Sequence, residues 1–156
     1  MAEQRKTNKL KVMFSKKSDH WKTPHKLYKA FMNQGYYDPC PYKCSVDNLN
    51  KAINADKVYI NPPFSKLKDW CKFIAFLYLG NKDIYVLMPA RTDTSYFYDL
   101  LTHAFAHIYF IKGRLHFNDS KDSAPFPTIL IHLNLKTITS NTFDLCTLDE
   151  FIEVLK

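Results

Sequence analysis

Asn61, Pro62, Pro63 and Phe64 follow the apolar run "KVYI" and precede a helical pattern. Adjacent prolines fix their own φ angles and lack N–H donors, and Pro63 also pushes Pro62 out of the helical region. The Asn61 amide and the Pro62 carbonyl are therefore held stiffly beside an aromatic ring. Two oxygens presented together on a rigid corner accept hydrogens from a guest, and the ring offers that guest a flat face. Other reactive side chains point to less. Cys40, Cys44, Cys71 and Cys146 show no disulfide framework, and no second pair matches the Cys40/Cys44 spacing to build a zinc site. His103 and His107 have no adjacent acid or cysteine, so no metal site is expected.

The elements that must position this corner are legible in the pattern. Before it, "TPHKLYKAFMNQG" predicts a helix, with Thr23 as its cap, Pro24 in its first turn, Leu27, Phe31 and Met32 as its apolar stripe and Gly35 as its stop. "GYYD" predicts a short strand ending at Asp38, and "KVYIN" a second ending at Asn61. After the corner, Ser65 is placed to cap a helix carrying Trp70, Phe73, Ile74, Leu77 and Tyr78, closed by Gly80. "DIYVLMP" predicts a strand buried on both faces, followed by a helix capped by Asp93 or Thr94. "HIYFIKGRLHF" predicts a strand, a turn near Gly113 and a second short strand, and "TILIHLNL" one strand more. Thr147 and Glu150 have capping-box spacing for a last helix.

Alternating strands and helices predict an α/β sandwich around a mainly parallel sheet. Only 22 residues separate Asp38 from Asn61, room for a single parallel crossover. If the two strands are neighbours, their carboxyl ends lie side by side, where open α/β sheets place ligands. Asp38 and Asn61 are then expected to face one crevice.

A chain of 156 residues with 46% hydrophobic and 15% aromatic content supports one domain, read here as residues 18–156 after a basic arm at 1–17. In that arm Arg5, Lys6, Lys9, Lys11, Lys16 and Lys17 face only Glu3, which suits either a solvated tail or a phosphate-binding arm. Lys plus Arg exceed Asp plus Glu by 22 to 15, and a net charge of +7 favours polyanionic partners, nucleic acid first. The longest apolar stretch, near Phe73 to Leu79, falls short of the roughly 20 residues of a membrane span, and no signal-peptide apolar run follows the basic start. A soluble, cytoplasmic protein without a membrane partner is expected.

Asn-Pro-Pro-Phe at a strand end resembles the Asn/Asp-Pro-Pro-aromatic motif of amino-methyltransferases that use S-adenosylmethionine. "HWKTP" at 20–24, "YYDPC" at 36–40, "DNL" at 47–49, "NPPFSKLKDW" at 61–70, "VLMPARTDTSYF" at 86–97 and "GRLHF" at 113–117 follow the order of one family. That family is the small phage-type, or Dam-type, DNA N6-adenine methyltransferases, and the resemblance runs from about residue 18 to residue 133. It implies a minimal Rossmann-like methyltransferase sandwich, a mixed, mainly parallel sheet with helices on both faces. The implied activity is methyl transfer to the N6 amino group of adenine in double-stranded DNA, the base flipped out, inside a cell, a virus-infected host cell included.

The residues follow the resemblance one by one. Asn61 and Pro62 are the acceptors for the amino hydrogens, Pro63 stiffens the turn and Phe64 stacks on the base. Thr23 and Pro24 lie at a helix start whose free N–H groups suit the carboxylate of the cofactor, with Trp21 covering it. Asp38 faces the cofactor's amino group, Pro39 and Cys40 shape the loop, and Asp47 accepts from the cofactor adenine, with Asp56 as its rival. Lys66, Arg91, Thr92 and Arg114 are expected at DNA. The glycine-rich loop of larger methyltransferases is absent, since the chain has only Gly35, Gly80 and Gly113, and the short interval before Asn61 removes a usual ribose-binding acid. Methylation of RNA adenine or of a protein glutamine, or an inactive nucleic-acid-binding module on the same scaffold, are the alternative readings. Monomer and homodimer both remain open.

Overall fold

A computed structural model describes residues 21–41 and 44–156; the basic arm lies outside the described residues. Helix α1 (His25–Asn33) buries Leu27 and Phe31, and Gly35 beyond it takes a φ of 79°, a left-handed value that glycine adopts without a Cβ clash. Thr23 is not its cap. Pro24 occupies that position, and the Thr23 hydroxyl is bonded to Tyr59 instead, a tertiary partner outcompeting a local one. Helix α2 (Val46–Asn54) follows, started by Ser45, whose hydroxyl accepts the Asn48 N–H at 3.1 Å. Strand β1 (Lys57–Ile60) leads to the proline corner, a 3-10 turn over Phe64–Lys66 and helix α3 (Leu67–Leu79). Ser65 sits inside that turn and does not cap α3, because the tight turn places Lys66 at the helix boundary.

Strand β2 (Asp83–Pro89) is buried over almost its whole length, as expected. Helix α4 (Ser95–His103) starts at Thr94, whose hydroxyl turns back to the Arg91 carbonyl at 2.7 Å and caps nothing. Strand β3 (Ala106–Ile111) is followed by no second strand. Leu115 and Phe117 dive into the core, and the chain forms a 3-10 turn at Phe117–Asp119. Strand β4 (Thr128–Leu133), edge strand β5 (Thr142–Cys146) and helix α5 (Leu148–Leu155) complete the chain. The Thr147–Glu150 capping box is formed in both directions.

The sheet order is β1-β2-β4-β3-β5. β1 pairs parallel with β2, and β3 with β5, while β4 runs antiparallel to both β2 and β3. Four strands thus point one way and β4 the other. The expected strand at "GYYD" shrinks to one parallel bridge, Tyr37 to Val58, and α2 fills the crossover between them.

Alternation along the strands divides the core. Val58, Ile60, Ile84, Val86 and Met88 meet α2, α3 and α4 on one face, through Ala52, Leu67, Trp70, Ile74, Phe97 and Leu100. Tyr59, Tyr85, Leu87 and Tyr109 meet α1 and α5 on the other, through Leu27, Phe31, Phe151 and Ile152. Phe31 stacks on Tyr59 with centroids 4.1 Å apart, so α1 is fastened to the strand that carries the corner. Each such fully buried side chain contributes about 1.5–3 kcal/mol. Among the described residues no helix is long and apolar enough to cross a membrane.

Candidate active site

Asn61 leaves β1 at its carboxyl end and is 9% exposed. Its Nδ2 donates to the Trp21 carbonyl at 2.5 Å and to the Thr23 hydroxyl at 3.1 Å. The Thr23 hydroxyl is itself 2.9 Å from the hydroxyl of fully buried Tyr59, whose phenol burial holds far above its usual range and so protonated. Both amide hydrogens are therefore spent, which fixes the amide with its oxygen turned the other way. Oδ1 is buried and has no hydrogen-bond partner among the described residues. An unpartnered buried acceptor costs about 1–3 kcal/mol, a cost that a bound N–H group removes.

Pro62 is buried and Pro63 half-buried. The turn's first backbone bond runs from the Lys66 N–H to the Pro63 carbonyl at 2.9 Å, so the Pro62 carbonyl is not the acceptor that closes it. Phe64 is half-buried in an aromatic cluster. Trp21 stacks near it, centroids 6.4 Å apart and planes 19° from parallel, while Phe126 stands edge-on to both, at 5.5 Å from Phe64 and 5.1 Å from Trp21.

Asp38 follows the Tyr37 bridge and is 7% exposed. Burial pushes its carboxyl up to about 7, and a single bond from the Cys40 N–H, 2.8 Å from Oδ1, pulls it only part of the way back. The Cys40 thiol is pushed up to about 12 by burial, with Cys44 and Asp38 adding to the effect. Neither cysteine is an activated nucleophile.

Asn61 and Asp38 do face one crevice. A cavity of about 470 Å³ is lined by both, together with Trp21, Thr23, Cys40 and Pro63. Pro24 and Pro39 are buried beside it, where they shape the chain without lining it. Asp47 is elsewhere. It lies in the first turn of α2, exposed and paired with Lys51 at 2.9 Å, and does not line the cavity. Asp56 is exposed too. The inner side of α2 instead gives Leu49 to a second hollow of about 380 Å³, walled by Trp70, Phe73 and Lys66 and sharing Pro63 with the first.

Lys66, Arg91, Thr92 and Arg114 are all exposed, the middle two in the turn after β2. The Arg114 guanidinium reaches the Ala124 carbonyl at 3.3 Å. No cluster of three metal-ligating side chains occurs among the described residues.

Sequence reasoning missed Lys22, His25, Tyr28, Asn118 and Asp119, which also line the large cavity. Asp119 corrects one expectation, because its Oδ1 accepts the His25 N–H at 2.9 Å. The first N–H of α1 is thus already taken by a carboxylate of this chain. The signal lay in "FND", since Asn and Asp tolerate left-handed backbone and Asn118 and Asp119 adopt φ of 58° and 51°. Comparison with protein-family models and with curated proteins finds no match to this chain.

Proposed function

We propose that this chain transfers a methyl group from S-adenosylmethionine to the N6 amino group of adenine in DNA, on a methyltransferase version of the mixed α/β sheet. One observation carries the reading. Asn61 is a buried amide whose donor side is fully used and whose acceptor oxygen is free, at a strand end beside a large cavity.

The adenine amino nitrogen is a poor nucleophile because its lone pair is delocalised into the ring. Asn61 Oδ1 and the Pro62 carbonyl accept its two hydrogens and draw the nitrogen toward a tetrahedral shape, with the lone pair directed at an electrophile. Phe64 supports the base through the half-exposed part of its ring. The proline pair keeps the oxygens in register, and a misplacement of about 1 Å costs on the order of a hundredfold in rate.

One feature of the cavity supports a cofactor there, a buried Asp38 carboxyl with a single bond from the described residues, which a cation would satisfy. Trp21, Thr23, Asp38 and Cys40 would hold it, and it would supply a methyl group on a sulfonium. An ionised Asp38 opposite an ammonium would drop back toward the ordinary carboxylate range. Lys66, Arg91, Thr92 and Arg114 form the outer, DNA-facing set, so binding should weaken steeply with salt.

The test is transfer of labelled methyl groups to plasmid DNA, with RNA and a glutamine peptide as parallel acceptors. Label in DNA adenine that disappears in Asn61→Ala supports the reading. Label in another acceptor, or activity unchanged in Asn61→Ala, refutes it.

A further inference from the structure

The Asn61 amide is oriented by a short strap, residues 21–25, and not by its own strand. We propose that the Asn118–Asp119 turn is the positioning element of the site, a clasp that holds the strap and through it the catalytic amide; the inference rests on the proposed function of Asn61.

The chain of contacts is continuous. The Lys22 N–H donates to Asn118 Oδ1 at 2.9 Å, and the Asn118 N–H donates to the Lys22 carbonyl at 2.8 Å. One residue on, the His25 N–H donates to Asp119 Oδ1 at 2.9 Å. These three bonds bracket Thr23, and the strap's two acceptors, the Trp21 carbonyl and the Thr23 hydroxyl, receive both hydrogens of Asn61. Phe117, just before the clasp, is 2% exposed and meets the Trp21 ring edge-on at 5.5 Å, which anchors the turn to the core.

The backbone agrees with this role. Two consecutive non-glycine residues at positive φ carry a conformational cost that persists only where surroundings hold it, and such strain gathers at functional sites. Here the strained pair is what aims two carboxamide or carboxylate oxygens at the strap. Asn118 and Asp119 line the cavity, and these bonds run to the strap and not to Asn61 itself. They act by restricting where Trp21 and Thr23 can be, hence which way the Asn61 amide faces.

The experiment uses the full chain and two readouts. The first is solvent exchange of the Asn61 side-chain amide protons, followed by NMR and assigned by their loss in Asn61→Ala. The second is kcat and KM for DNA methylation. Asn118→Gly tolerates the positive φ and keeps the backbone bond to the Lys22 carbonyl while removing the side-chain amide, its acceptor for the Lys22 N–H included. Asp119→Gly deletes the other acceptor at an equally permissive φ, and Asp119→Asn retains an Oδ1.

The expected result is slow exchange in the native chain, at least about tenfold faster exchange in Asn118→Gly and Asp119→Gly, and recovery in Asp119→Asn. kcat should fall on the order of tenfold to a hundredfold with KM for DNA nearly unchanged. Unchanged exchange in both deletion variants overturns the clasp even if activity falls. Native protein that shows protected Asn61 protons but methylates nothing refutes the proposed activity and leaves the clasp standing.

Discussion

Two acids border the same sheet and are treated in opposite ways. Asp83, at the start of β2, accepts from the Tyr36 hydroxyl at 2.7 Å, from His132 Nε2 at 2.6 Å and from the Asn134 amide at 3.2 Å. Burial alone would raise its pKa, but these donors outweigh burial and leave the carboxyl below its ordinary value. Asp38 is more deeply buried and has one backbone donor, so burial prevails and carries it up to about 7. His132 also stacks flat on Tyr85 at 4.1 Å, which locks the Asp83 group from a second direction. A satisfied carboxylate ties elements together, and an under-satisfied one beside a cavity is poised for a guest. Asn61 belongs with Asp38 in this respect, because its oxygen is likewise unmatched among the described residues.

The contrast can be broken most severely at Asn61. Asn61→Ala should lower methyl transfer by about 10²–10³-fold, as removal of a preorganised hydrogen-bonding group does, while thermal unfolding moves little. Single-turnover kinetics beside a melting curve check both halves. A large loss of stability with modest loss of activity would place Asn61 with Asp83.

Asp38 gives the next effect, through pH. Its carboxyl rises from 3.8 to about 7, so between those values the folded state holds a proton that the unfolded state has released. Stability is therefore lost as pH rises through this window. At about 1.4 kcal/mol per unit the upper limit is roughly 4 kcal/mol. Denaturant titrations at pH 5 and pH 8 should show the slope in the native chain and its flattening in Asp38→Asn. Cofactor affinity in the native chain should run the other way, rising with pH as the carboxylate becomes available to a cation. Calorimetry in two buffers of different ionisation heat would show the released proton.

Asp83→Ala should cost about 2–3 kcal/mol of stability at pH 7, from the loss of several bonds to a charged acceptor. This contribution is present above the unfolded value of 3.8 and disappears as pH falls below it, the reverse of Asp38. Methylation by the folded fraction should be unaffected. The smallest effect is predicted for Asp47→Ala. Its exposed partnership with Lys51 suggests a change in cofactor affinity of no more than about twofold, and a larger loss would restore it to the site.

Local chemistry was the readable part of this sequence. The proline corner, the capping box of α5 and the buried run of β2 depend on neighbours in the chain, and each stands where its pattern placed it. Helix α2 was equally local. Ser45 caps it and Ala52 is its buried residue, but so narrow an apolar stripe among polar residues gave no element in the pattern. Thr23 and Thr94 had cap-like positions, and distant or backward bonds won them over. The short edge strand β5 exposes Phe143 and Leu145, so it lacks the burial pattern that gives strands away. The pairing of Lys22 with Asn118 spans 96 positions, and no spacing rule reaches that far.

That span has a consequence for how the protein comes into being. During synthesis the proline corner emerges long before residue 119, and until then the strap beside it has Tyr59 and Asn61 to meet but not Asn118 and Asp119. A nascent polypeptide that has passed the corner but not yet this turn should thus carry every atom of the corner without its clasp, and competence should arrive abruptly once Asn118 and Asp119 are in place.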